Sequence, residues 1–122
     1  MEAIVVGGAV IFTTERETTV YFQNDLIADS QVEVALSQSR DADEPPNSYS
    51  VCLFFNGDMI ACDHGASWDR AMAYIFHVLS SKTAEEAARG YGEIHPRFTA
   101  DELIRRVRDP KWEAERAAQA AA

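Results

Sequence analysis

The hydrophobic period changes once along this chain, and that change decides what it can fold into. Up to about residue 65, apolar residues recur every second position; beyond it they recur about every 3.6. Residues 31–36 (QVEVAL) show the first rhythm most plainly. Val32, Val34 and Leu36 face one way and Gln31, Glu33 and Ala35 the other, as in a strand with one buried face. Residues 3–12 (AIVVGGAVIF), 18–23 (TTVYFQ), 49–55 (YSVCLFF) and 58–62 (DMIAC) are β-branched or aromatic runs of strand length. The last two flank Asn56-Gly57, a strong hairpin signal because both turn residues need positive φ. About five strands, mostly antiparallel, are expected. Gly7 and Gly8 read as a bulge or a close backbone approach, since no G-x-G-x-x-G or Walker sequence surrounds them. The stretch 37–48 (SQSRDADEPPNS) is the longest break, and Pro45-Pro46 stops any strand there.

The second rhythm predicts a helix from residue 68, with Trp68, Ala71, Met72, Ile75, Phe76 and Leu79 as its apolar stripe and Ser67 as its cap. Thr83 with Glu86 forms a capping box for a second helix that Gly90 can end. Thr99 with Glu102 opens a third, with Phe98 placed to staple onto Leu103. Asp109-Pro110 starts a fourth, KWEAERAAQAAA, anchored by Trp112 alone and expected to fray over 119–122. Strands followed by helices give an α+β domain, residues 1–122 as one unit, with the main helix on the sheet and Trp68, Ile75 and Leu79 on the strand core. A chain of 122 residues can bury enough surface to fold without a metal or a disulfide.

Charge follows the same boundary. Residues 1–65 hold eleven of the twenty acids but only two bases, Arg16 and Arg40, so the net charge of -9 belongs to the strand half. Residues 66–122 are balanced, and Asp101 with Arg105 and Glu102 with Arg106 stand at i,i+4 spacing. The net acidity of the chain argues against direct binding of nucleic acid or of anionic membrane, both of which need a basic surface. No run of about 18 apolar residues offers a membrane span, and the N-terminus lacks the basic region of a signal peptide.

Candidate chemistry is sparse. Counting outward from a two-residue turn sets Cys52 opposite Ala61 and Cys62 opposite Val51, which puts the two thiols on opposite faces and predicts no bridge. Free cysteines in a reducing, cytoplasmic setting are the expectation. Cys62-Asp63-His64 alternates in direction along a strand and chelates poorly; His77 and His95 add no metal-ligand spacing, so neither a metal nor a cofactor is expected. A cysteine nucleophile at Cys62 with His64 or His95 lacks an orienting group and an oxyanion hole. An enzyme built on it ranks third.

The leading expectation is a non-enzymatic acidic protein that covers a basic protein surface, one that itself binds nucleic acid. By size and charge alone its physical class is that of small phage inhibitors such as anti-CRISPR proteins, and of nuclease immunity proteins. Asp41, Asp43 and Glu44 form the densest acidic cluster, on the longest loop; Glu33, Asp58 and Glu17 are the further candidates. Arg70, Tyr74 and His77, opposite the predicted apolar stripe, form a secondary contact candidate. The alternative is a homo-oligomeric structural or regulatory adaptor joined through strand edges or the C-terminal helix.

Overall fold

The computed structural model describes residues 2–6, 9–14, 17–39 and 48–108. The described strands are β1 (Glu2–Val6), β2 (Ala9–Thr13), β3 (Glu17–Gln23), β4 (Val32–Ser39), β5 (Tyr49–Phe55) and β6 (Asp58–Ala66). They form one sheet in chain order, each strand antiparallel to the next. The helices α1 (Trp68–Ser80), α2 (Ala84–Ile94) and α3 (Ala100–Arg108) follow, so the α+β arrangement expected from the change of period is the one observed.

The strand count differs from the expectation at the N-terminus. The run 3–12 is two strands, not one: β1 pairs antiparallel with β2, from Val6 with Ala9 to Glu2 with Thr13. Gly7 and Gly8, read as a bulge, lie outside the described residues.

Bulges occur in β6. Leu53 pairs with Ala61 and Phe54 with Met59, so Ile60 is the extra residue. A second irregularity leaves Gly65, at φ +95°, between the pairs Ser50–His64 and Tyr49–Ala66. The turn is as expected, with Asn56 at φ 50° and Gly57 at φ 87°.

The first bulge corrects the cysteine expectation. One added residue returns Cys62 to the position opposite Cys52, with Cα atoms 4.1 Å apart, and the two are bridged. Simple counting from the turn cannot see this, because Ile60 and Ala61 are both buried and no signal separates a bulged β6 from a regular one.

The helices cover one face of the sheet. α1 contacts β3, β4 and β5; α2 packs on α1 and reaches β5; α3 packs on α2 and reaches β6. Val32, Val34, Val51, Leu53 and Ile60 supply the strand side of the core, and Ala71, Tyr74, Val78, Ala87, Tyr91 and Leu103 the helix side.

The phase of α1 is also corrected. Its buried residues are Ala71, Tyr74 and Val78, while Trp68 is 52% and Phe76 69% exposed. Met72, Ile75 and Leu79 are half-buried against the core. Tyr74 goes inside because its hydroxyl finds a buried acceptor in Asp63, at 2.7 Å, and its ring stacks on Tyr91 at 4.3 Å. Trp68 instead rests its ring on Tyr49 at the margin of the helix layer.

The predicted caps form. Ser67 accepts from the Arg70 amide, Thr83 from Glu86 and Thr99 from Glu102. Glu86 turns back to accept from the Lys82 amide at 2.8 Å, one residue before the cap. Gly90 does not end α2, which continues to Ile94; it lies against His77 of α1, where a Cβ would come within 3.2 Å of the His77 Cβ. The expected fourth helix lies outside the described residues. No helix among the described residues is long and apolar enough to cross a membrane.

Candidate binding face

Strand alternation sends one set of side chains to the helices and leaves the other set without a helix layer among the described residues. The uncovered set includes Val10 and Phe12 of β2, Tyr21 of β3, Glu33 and Ala35 of β4, Cys52 and Phe54 of β5, and Met59, Cys62 and His64 of β6. Phe12, Tyr21 and Phe54 form a ridge across this face. Phe12 meets Tyr21 edge-on with centroids 5.5 Å apart, and Tyr21 meets Phe54 at 6.1 Å. Ala35 is small enough to be buried beneath them, and Met59 continues the apolar surface at 44% exposed.

Carboxylates flank this ridge. Glu33 pairs across to Gln23 on one side and Phe54 on the other, next to the aromatic row. Glu17 lies at the far end of β3, where it accepts from the Thr19 hydroxyl at 2.8 Å; Thr19 in turn lies 3.0 Å from Ser37. Asp58 is half-buried at the β5–β6 turn, in register with Phe55. The structure therefore does not gather the three described candidates into one cluster. Glu17 and Glu33 are six residues apart in register, about 20 Å along the strands. None of the described strand residues is a lysine or an arginine. Asp41, Asp43 and Glu44 lie outside the described residues.

The secondary candidates take other positions. Tyr74 is fully buried and is no contact residue. Arg70 bends toward β6, donating from Nε to Asp63 at 2.8 Å and to the Gly65 carbonyl at 3.3 Å. His77 is exposed, packed between Gly90 and the edge of Phe76. The difference has one physical source: a helical phase set by Trp68 turns Tyr74 away from the core, whereas its hydroxyl has a buried partner in Asp63.

Asp63 is the polar centre of the core and was missed as such. It is 3% exposed and both its oxygens are engaged, by Arg70 and by the Tyr74 hydroxyl. Burial, and then the hydrogen bond to Asp63, push the Tyr74 phenol far above its usual pKa of 10.0. Burial does the same to Tyr91, whose hydroxyl donates to the Val51 carbonyl at 2.6 Å. Both phenols are thus neutral in the fold, while in the unfolded chain they ionise near pH 10. The stability they carry is complete below that pH and is lost as pH rises above it. Alkaline titration followed at the tyrosinate band should show these two rings ionising together with unfolding, and Tyr74→Phe should halve that cooperative step.

Beside β6, Asp63, His64, Arg70, His95 and Arg97 line a cleft of about 420 Å³. His95 has both ring nitrogens occupied. Nε2 donates to the Cys62 carbonyl at 3.1 Å, and Nδ1 accepts from the Arg97 and Phe98 amides at 3.0 and 3.1 Å. His64 Nδ1 lies 3.9 Å from the Cys62 sulfur, and that sulfur is held in the bridge. No three metal-ligating side chains converge among the described residues. Comparison with protein families, with curated proteins and with solved structures finds no match to this chain.

Proposed function

We propose that this protein is a non-enzymatic binding module that covers a basic protein surface with the uncovered face of its sheet. The partner surface is one that binds nucleic acid, and the module excludes the nucleic acid by occupying it. The observation that supports this reading is the composition of that face: an aromatic ridge with Glu33 beside it, on strands whose described residues include no lysine or arginine. An apolar centre with a charged margin is the usual anatomy of a protein interface, and tyrosine is enriched among its strongest contacts. The acids steer a cationic partner, and the rings hold it. In the helical half Glu85 is engaged by Arg108 at 2.5 and 2.7 Å and Glu86 by a backbone amide.

A cytoplasmic setting belongs to this proposal, since partners that bind nucleic acid reside there; the reducing pool then sets how far Cys52 and Cys62 stay bridged. The test is affinity capture by the immobilised chain at low and high salt, followed by competition with duplex DNA. Tyr21→Ala should weaken the captured complex at least tenfold, as expected for a central contact worth about 1.4 kcal/mol or more. Glu33→Lys, and Asp41, Asp43 and Glu44 changed together to Lys, should slow association about tenfold at low salt. The same charge change at Glu85 and Glu86 should do far less. Capture that is indifferent to salt and to Tyr21 would refute the proposal.

A further inference from the structure

The two edges of the sheet are finished differently. At β6 three side chains from the helical half bond the carbonyls of the edge: Arg106 takes that of Ile60, His95 that of Cys62 and Arg70 that of Gly65. Those groups are unavailable to another strand. At the other edge, β1 is the outermost strand, and the helices make their main contacts with β3 to β6. The sequence of β1, EAIVV, contains none of the devices that protect an edge: no lysine, no proline, one charge at its start.

We propose that two copies of this chain join through β1, edge to edge and antiparallel, about a two-fold axis that passes through Ile4. The charge pattern selects a second copy as the partner, and the register and symmetry of such a pair fit it. Residues 3–14 (AIVVGGAVIFTT) carry no charge in a chain of net charge -9, so this is a place where two such chains meet without like-charge repulsion. The antiparallel register about Ile4 uses all five residues of β1 and sets Glu2 opposite Val6, whereas a parallel register would set Glu2 beside Glu2. The arrangement is also self-complementary, as a two-fold interface must be.

Sedimentation equilibrium of the full chain tests the proposal, with circular dichroism to confirm folding. The wild type should be dimeric at tens of micromolar. Ile4→Lys and Ile4→Glu should each raise the dimer dissociation constant at least tenfold, because each sets two like charges on the axis. Mixing the two variants should restore a dimer containing one copy of each. A wild type monomeric at about 100 μM, or variants that stay dimeric, or folded variants whose mixture stays monomeric, would overturn the proposal. Variants that unfold alone and yet pair when mixed would still support it.

Discussion

Replacing Asp63 by alanine should cost about 3 kcal/mol, a fall of roughly 12 °C in melting midpoint for a domain of this size. The loss has two sources. Tyr74, fully buried, keeps a hydroxyl with no acceptor, and Arg70 keeps a charge whose counter-ion has gone. Arg70 is 33% exposed at its side chain and can turn to water, so the larger share falls on Tyr74. A double-mutant cycle with Tyr74→Phe separates the two. Asp63→Ala in the Tyr74→Phe background should cost about 1 kcal/mol less than in the wild type. Urea unfolding measures all four chains. A loss below about 1 kcal/mol for Asp63→Ala would show that the buried carboxylate is not what holds β6 to α1.

Asn24 should be as costly, for a different reason. It is 2% exposed and uses every hydrogen-bonding group of its amide. Nδ2 donates to the carbonyls of Val78 at 2.6 Å and Ser81 at 2.8 Å, and Oδ1 accepts from the amides of Leu26 at 2.7 Å and Ile27 at 3.2 Å. One side chain thus shapes the β3–β4 connection and closes the C-terminus of α1, whose last carbonyls have no partner within the helix. Asn24→Ala strips partners from four backbone groups and should cost about 3 kcal/mol. Asn24→Asp keeps the two acceptors for Leu26 and Ile27 but sets a carboxylate against two carbonyls. It should be no more stable than the alanine variant in the same urea titration. If aspartate is tolerated, the bonds to α1 do not carry the effect.

How much of this was legible depends on distance along the chain. The change of period gave the order of strands and helices, and Ser67, Thr83 and Thr99 gave the helix starts, because each of those signals acts within four residues. Asn56-Gly57 gave its hairpin for the same reason. The Cys52–Cys62 bridge was not legible: it depends on a single bulged residue, Ile60, that looks like any other strand residue. Asn24 was not legible either, since its donors act on residues 54 and 57 positions away. The phase of α1 failed because Tyr74 goes inside in place of Trp68 and Phe76, and only the fold says that its hydroxyl has a partner there. The candidate face was legible in part. Alternation placed Glu33 opposite Val32 and Val34, but nothing in the sequence says that Phe12, Tyr21 and Phe54 would meet, on three different strands, on the face turned away from α1 to α3.

The unequal finish of the two edges has a consequence that polymer chemists would state as functionality. A unit with two reactive ends grows without limit; a unit with one forms a pair and stops. Arg106, His95 and Arg70 remove one end of this sheet from the reaction. Edge pairing then has a built-in stoichiometry of two, and the same three side chains that look like packing details set the boundary between a finite assembly and a fibre.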